Sequence, residues 1–597
     1  MRKSQNPRPQ GRRSLVFYAV LLGAYLIPPL VIALPARLAG ATLVGKPYAW
    51  PLTLMQQVID HGAGPWPWAW MGWSGAVRPG VFWATLALEM LPAGGAVLVI
   101  GWLARSTGQG VKQASRWARG LDLRRAGLIL RRPRPLRLIL GRLPGWVSRG
   151  PFIASEPGVS LLVFGPTGSG KSAGLCVPHI LEWDGPVVAI SVKNDLVVQT
   201  AGERQRQGRT DVFDPTGTTG FATCTWSPMA RCRNFDHAMR VGQWLVQGQG
   251  QGGAAGRGSN DAEWAHWEDA AIRLVSTALY AGDSLGLSIT DALSWLDDGT
   301  GTKLGLALGA VRNRDPRALQ WYQSVQERPE RERGSCYSTS QRALRPYIET
   351  AVAASAVDPS FDPGRFLESD NDTLYLVAPQ AEQERLSGVF ASLVMTVMTD
   401  ATDLAQSRPQ GSLRRPLLVV LDECANTAPI RDLPQYLSTV RSMGITLVAI
   451  FQDLSQCEHR YGDLAGSIVN NARAVLFLSG SKDRKTLELL RDLAGRGRTR
   501  RYTADSSGGS QVTFEKEELL GVDIGRQLGP GRAVLLLDHL SPIALRLRNC
   551  YRDPDLRRRR RRFLPHVTEI VPERPARPGG HSRRARGLGV GAAPPQT

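Results

Sequence analysis

The chain is short of acids and has no paired cysteines, and each shortage narrows what it can be. Against 73 lysines and arginines stand 52 aspartates and glutamates, a formal surplus of +21. That deficit disfavours cationic partners and attracts polyanions, nucleic acid or anionic lipid, and the total alone does not choose between them. Seven cysteines are scattered through 597 residues with no C-x-x-C pair. Cys224 and Cys232 lie eight apart without histidines at metal-ligand spacing. A disulfide scaffold and a zinc ribbon are therefore disfavoured, and the thiols read as reduced. What is present is ordinary for globular protein: 43% hydrophobic and 21% charged residues, in a chain too long for one compact core.

Charge is also missing from one stretch of the N-terminal region. Leu15 to Pro35 carries no charged residue, a length that suits a bilayer span of ~20 apolar residues. Pro28-Pro29 would kink such a helix, which a membrane helix tolerates. A second run, Gly80 to Ala104, carries one charge, Glu89. Arg2, Lys3, Arg8, Arg12 and Arg13 precede the first run, and Arg105, Lys112, Arg116 and Arg119 follow the second. The excess of positive charge places both flanks in the cytoplasm. The expectation is a basic arm over 1–14 and a two-helix transmembrane hairpin over 15–104 with a short tryptophan-rich external loop. A basic juxtamembrane linker over 105–150 would follow, with twelve basic residues between Arg105 and Arg149 and one acid, Asp122. Such a segment is drawn to anionic lipid at about 1 kcal/mol per charge, and DNA is its other natural partner.

Beyond residue 150 apolar, strand-like runs recur: Pro186–Ile190, Thr210–Phe213, Thr373–Val377, Leu417–Leu421, Ile445–Phe451 and Ala474–Leu478. Uninterrupted apolar strands imply a parallel sheet covered by helices on both faces, an α/β fold. Helical patterning such as Ala262–Ala281 breaks the alternation, so 229–365 reads as a helical insertion between 151–228 and 366–556. From 557 to 597, six arginines and a Pro/Gly/Arg stretch form a basic tail that cannot bury a core.

Gly165-Pro166-Thr167-Gly168-Ser169-Gly170-Lys171-Ser172 fits the phosphate-loop pattern without deviation. Its glycines let backbone amides wrap phosphates, Lys171 reaches the β and γ oxygens, and Ser172 can ligate Mg2+. Leu417–Leu421 ends in Asp422 and Glu423, where one acid would hold the metal and the other would activate water. Gln452 ends the run Ile445–Phe451 and could sense a γ-phosphate. Arg441 reads by itself as a surface salt bridge, although an arginine offered by a neighbouring subunit can neutralise transition-state charge.

The segment LDECANTAPIRDLPQYLSTVRSMGITLVAIFQDLSQCEHRYG, Leu421 to Gly462, resembles the coupling ATPases of type IV secretion and conjugation, the TraG/TraD type. The likeness extends through GPTGSGKS, Ser191–Leu196 and Val212–Pro215 upstream and through Ile468–Asn471 downstream, roughly residues 155 to 555. It implies a RecA-like P-loop motor domain with an inserted all-alpha domain, a homohexameric ring at the cytoplasmic membrane, and ATP with Mg2+ as cofactors. It raises Arg441 and Gln452 to catalytic candidates beside Lys171 and Glu423. Implied partners are DNA without sequence preference, a relaxase or other secreted protein, and the channel of a type IV secretion system. Two departures stand out. Ser191-Val192-Lys193-Asn194-Asp195-Leu196 replaces the common D-P-K-G-E-L, and Cys424 replaces an aromatic residue and reads as packing. Two other functions fit the same motor: a receptor for secreted effectors whose ATP controls assembly, and a DNA translocase of the FtsK/HerA kind.

Overall fold

Residues 116–562, apart from 135, 145–149, 222, 250–260 and 505–509, are described by a computed structural model. The arm, both candidate spans and the tail beyond 562 lie outside the described residues. The chain divides into Met1–Gln113 and Ala114–Thr597, and all of the described residues belong to the second unit.

Among the described residues fourteen strands run in chain order as β1 (Ile129–Leu130), β2 (Ile139–Arg142), β3 (Phe152–Ala154), β4 (Leu161–Phe164), β5 (Val187–Ser191), β6 (Thr210–Phe213) and β7 (Thr373–Val377), then β8 (Leu417–Leu421), β9 (Ile445–Phe451), β10 (Ala474–Leu478), β11 (Arg496–Ala504), β12 (Ser510–Glu518), β13 (Arg532–Leu537) and β14 (Ile543–Arg546). Twelve of them form one sheet in the order β1-β3-β2-β14-β13-β10-β4-β9-β8-β5-β7-β6, and β11 pairs with β12 as a separate hairpin. From β10 to β6 neighbours pair parallel. From β1 to β10 they pair antiparallel.

Five of the six apolar runs read from the sequence coincide with strands in both bounds, and β5 is displaced by one residue. The reason is burial: β7, β8, β9 and β10 are buried at every position. A strand covered on both faces has no polar side, and alternation sends its residues to two cores. In β4, Leu162 and Phe164 enter one core with the helices between β6 and β7. Leu161 and Val163 enter the other, with the helices Val177–Glu182 and Asp195–Gln207.

Helices occupy most of the chain between β6 and β7, among them Phe235–Gly248, Asp261–Leu285, Ile289–Asp297 and Glu330–Leu344. Several starts are capped by side chains, Asn234, Ser288 and Asp315 accepting from backbone amides of the first turn. Their buried residues join the core of the sheet face rather than closing a core of their own. Among the described residues one segment, Gln380–Ser407, is long and apolar enough to cross a bilayer. It is mostly buried against the sheet and serves as a core helix.

Two boundaries differ from the sequence reading. The basic stretch 105–150 is not linker throughout, because β1 and β2 belong to the sheet. Leu138, Ile139 and Leu140 are buried there while Arg131, Arg132 and Arg134 stay outside. Likewise Arg557–Arg562 completes the helix Pro554–Arg562. Leu556 is buried beneath it, and the Arg559 guanidinium donates to Leu181 O at 3.0 Å and lies 3.7 Å from Glu203. All seven cysteines are buried and free.

Arg204 ties the first strands of the parallel half together. It is fully buried, and its guanidinium donates to Trp183 O, Gly185 O, Asn371 O, Gln207 Oε1 and Thr373 Oγ1 at 2.7 to 2.9 Å. A buried charge is tolerable when its donors are used in this way. His179 does similar work for the antiparallel half, its Nε2 donating to Ile139 O at 3.2 Å. Burial pulls this imidazole from its ordinary 6.5 down to about 4. The unfolded chain takes up a proton below 6.5 that the folded chain refuses until about 4. Stability is thus full above 6.5 and is lost as pH falls, about 3 kcal/mol in all. The melting temperature of the detergent-solubilised chain should therefore fall between pH 7 and 5, and His179→Gln, which keeps an N–H donor, should flatten that limb. An unchanged pH profile would show that His179 is not held neutral.

Candidate nucleotide site

The loop at 165–172 leaves the C-terminal end of β4. Gly165 N donates to Phe451 O at 3.0 Å, which fastens the loop to the neighbouring β9. Gly168 and Gly170 have φ of +82° and +92°, a region in which side chains are strained. At Gly165 the obstacle is packing instead: a Cβ would stand 2.7 Å from Leu478 Cδ1 and 2.9 Å from Ser169 Oγ. The chain then turns through Ser172–Cys176 into the helix Val177–Glu182, with Gly174 N donating to Gly170 O at 2.7 Å and Val177 N to Ser172 O, so the helical run starts directly from the loop.

Within this cradle Lys171 Nζ donates to Gly165 O at 2.7 Å. Burial pulls its pKa below the ordinary lysine value, against the opposing charges of Asp422 and Glu423. The Ser169 hydroxyl is buried and has no hydrogen-bond partner among the described residues. A half-dehydrated ammonium and an orphaned hydroxyl in one glycine-lined concavity fit an anionic phosphate chain.

Strand β8 delivers the acids. Ser172 Oγ donates to Asp422 Oδ2 at 3.0 Å, and burial pushes the Asp422 carboxyl up to about 6. Two hard oxygens so placed suit Mg2+, whose remaining ligands are phosphates and water. Among the described residues no group of three His, Cys, Asp or Glu converges as a metal site, and a magnesium bound in this manner needs none.

Glu423 adopts φ +67°, ψ +54°, an uncommon conformation for a residue with a side chain and one that clusters at functional sites. Its Oε1 accepts from Gln452 Nε2 and from Asn426 Nδ2, each at 2.7 Å. Gln452 is itself set by the Gln456 side chain, which accepts from its backbone N–H at 2.9 Å. The carboxylate is thus aimed by two amides from two elements.

The structure brings Gly165–Ser172, Asp422, Glu423 and Gln452 to one edge of the sheet. Arg441 is not among them. It lies in the turn Val440–Met443 that precedes β9, and its guanidinium donates to Glu156 Oε2 at 2.8 Å, in the segment that precedes β4. The seven residues of β9, about 23 Å of extended chain, separate it from Gln452. Ser169 belongs to the phosphate loop read from the sequence, whereas Asn426 escaped sequence reasoning. Asn426 stands three residues after Glu423 where a helical turn begins, which is the signal that could have found it. Cys424 is fully buried, with its thiol pushed up to about 12 by burial and in contact with the Tyr461 hydroxyl at 3.7 Å. In the departed Ser191–Leu196 motif, Ser191 Oγ donates to Asp195 Oδ1 at 3.3 Å.

A loop of this geometry at the C-terminal edge of a parallel sheet places the protein among the P-loop nucleotide-binding proteins. Residues 116–519 match the family described as type IV secretory system conjugative DNA transfer, and the chain belongs to that family. It is 26% identical over 389 residues to the conjugal transfer protein TraG of Escherichia coli, covering 58% of this chain and 58% of that protein. The fold is similar to that of the bacterial conjugative coupling protein TrwBdeltaN70 in its unbound form, with a TM-score of 0.54, 20% identity, and coverage of 74% of this chain and 96% of that one. A structure of TrwB in complex with ADP and Mg2+ aligns with a TM-score of 0.53 at 19% identity over 73% of this chain and 94% of that one. At these identities the structural likeness is one of fold. The expected RecA-like α/β architecture fits that fold, and the resemblance carried by Leu421–Gly462 pointed to the same family.

Glu423→Gln should leave nucleotide affinity within about twofold and lower hydrolysis by ~10²–10⁴, whereas Asn426→Ala should slow hydrolysis roughly tenfold by freeing the carboxylate. Equilibrium binding of a fluorescent nucleotide alongside single-turnover hydrolysis measures both. Loss of binding in Glu423→Gln would make that residue part of the cradle instead.

Proposed function

We propose that the chain is a membrane-anchored ATPase that receives a DNA–protein substrate and drives it into a type IV secretion channel. The observation that carries this reading is the convergence of Lys171, Ser172, Asp422, Glu423 and Gln452 at one sheet edge, in a chain of the conjugative DNA transfer family. The cradle binds ATP. Ser172 and Asp422 would hold Mg2+, which neutralises charge between the β- and γ-phosphates when bound. Glu423 accepts a proton from the attacking water, and Gln452 links that carboxylate to the tip of β9, where a γ-phosphate is sensed.

Arg441 fits a role across a subunit boundary. It lies at the edge opposite its own cradle and is partly exposed, with Glu156 as its ion-pair partner. In a head-to-tail ring the same side chain meets the next subunit's nucleotide, and a homohexamer is the assembly we assign. The apolar runs 15–35 and 80–104 anchor the ring in the cytoplasmic membrane, with the bulk of the chain in the cytoplasm. The surplus of +21 supports DNA binding through phosphates without sequence preference. The cargo is a relaxase or another secreted protein joined to DNA.

Lys171→Ala separates a motor from a receptor. Substrate capture should survive in cells carrying this variant while transfer falls below detection, and DNA-stimulated ATP hydrolysis by the wild-type chain should drop steeply with salt. Wild-type transfer by Lys171→Ala would refute the motor.

A further inference from the structure

Seven arginines, at 116, 119, 124, 125, 131, 132 and 134, stand against one acid, Asp122, at the β1 edge of the large sheet. All seven are exposed. Arg116 lies 3.3 Å from Asp122. The side chains of Arg124, Arg125, Arg131, Arg132 and Arg134 make no hydrogen bond or ion pair with the described residues.

These charges sit on a fixed platform. The helix Gly120–Arg125 is anchored by Leu123, which is fully buried. Ahead of it Ala118 N donates to Pro542 O at 2.9 Å. The Arg137 guanidinium donates to Gly127 O at 2.9 Å and Ser155 O at 2.6 Å, which holds the arginine loop 131–134 beside the turn that follows the helix. Burial, and to a lesser degree the nearby Arg134 charge, pull Arg137 below its ordinary pKa against the opposing charge of Glu156. Between the arginines Leu121 projects with 59% of its surface exposed.

We infer that this edge is a docking surface for an anionic lipid bilayer, with the guanidinia on headgroup phosphates and Leu121 at the level of the acyl boundary. Fixed charges of one sign without internal partners create a positive potential that attracts an external polyanion. Two observations favour lipid over nucleic acid. The apolar run Gly80–Ala104 ends twelve residues before Arg116, at most about 43 Å of chain. In addition, an exposed leucine among arginines finds an apolar environment at a bilayer interface and none against a phosphate backbone. The surface rests on the membrane-anchor reading of the proposed function and adds to it a lipid-dependent orientation of the motor.

The test uses the full chain in nanodiscs of phosphatidylcholine alone or mixed with phosphatidylglycerol. A fluorophore is attached at Leu121→Cys, the native cysteines being buried, and lipids carrying a headgroup nitroxide act as quencher. Quenching should be several-fold stronger in the anionic discs and should weaken at high salt. It should vanish when Arg124, Arg125, Arg131 and Arg132 are all changed to Glu, with basal ATP hydrolysis unchanged. A probe at Ile348→Cys, exposed on the helical insertion, should be quenched in neither disc. Equal quenching in both lipids overturns the proposal, and so does a Leu121 probe that responds to an oligonucleotide and not to anionic lipid. A chain that fails to co-purify with neutral discs overturns the anchor and the docking together. One that co-purifies without lipid-dependent quenching overturns the docking alone.

Discussion

Strands β4, β9 and β8 lie side by side in parallel, with Phe164 level with Phe451 and Leu421 level with Ala449. That register decides what meets at their C-terminal ends: the loop leaves β4, Gln452 leaves β9, and Asp422 and Glu423 leave β8. A slip of one residue would reverse which side chains of a strand enter each core, and it would separate Ser172 Oγ from Asp422 Oδ2, now 3.0 Å apart. Core packing and site geometry are therefore one constraint, since the alternation that splits β4 between two cores also sets the height of each strand's tip.

The site concentrates departures from local comfort on this edge. Glu423 sits in the left-handed region, the Asp422 carboxyl is pushed up to about 6 by burial, the Lys171 ammonium is partly dehydrated, and the Ser169 hydroxyl lacks a partner among the described residues. The last three are costs that a bound nucleotide with its metal would relieve, by neutralising the acid, pairing the cation and occupying the hydroxyl, whereas the backbone of Glu423 is held by the surrounding fold. The surrounding sheet, apolar on both faces, holds these groups in place until then.

Much of this architecture was legible in sequence because buried parallel strands write themselves as uninterrupted apolar runs. Leu417–Leu421 and Ile445–Phe451 carry their bounds and their polar tips in the chain itself. The loop was legible because only glycine tolerates its turns. β13, the apolar run Arg532–Leu537, was legible but passed over. The rest of the antiparallel half was not: β1 to β3 and β14 are only two to four residues long, and arginines such as Arg131 and Arg132 disguised a sheet edge as linker. The arginine run 557–562 read as tail for the same reason, since one buried leucine, Leu556, and the contacts of Arg559 fix a helix that composition hides. Nor did spacing separate Arg441 from the other candidates. It lies eleven residues from Gln452 in sequence and at the other end of the strand in space.

That separation gives the proposed ring its physical content, because a site finished by a neighbour's arginine is incomplete in one subunit. Mixing two inactive chains tests this most directly. Arg441→Ala keeps its own cradle and acids, and Glu423→Gln keeps an arginine to offer. Rings assembled from equal amounts should recover about a quarter of wild-type ATP hydrolysis, the share of boundaries that pair an intact cradle with an intact arginine in random head-to-tail order. No recovery in verified mixed rings, or near-normal hydrolysis by Arg441→Ala alone, would contradict an arginine acting between subunits.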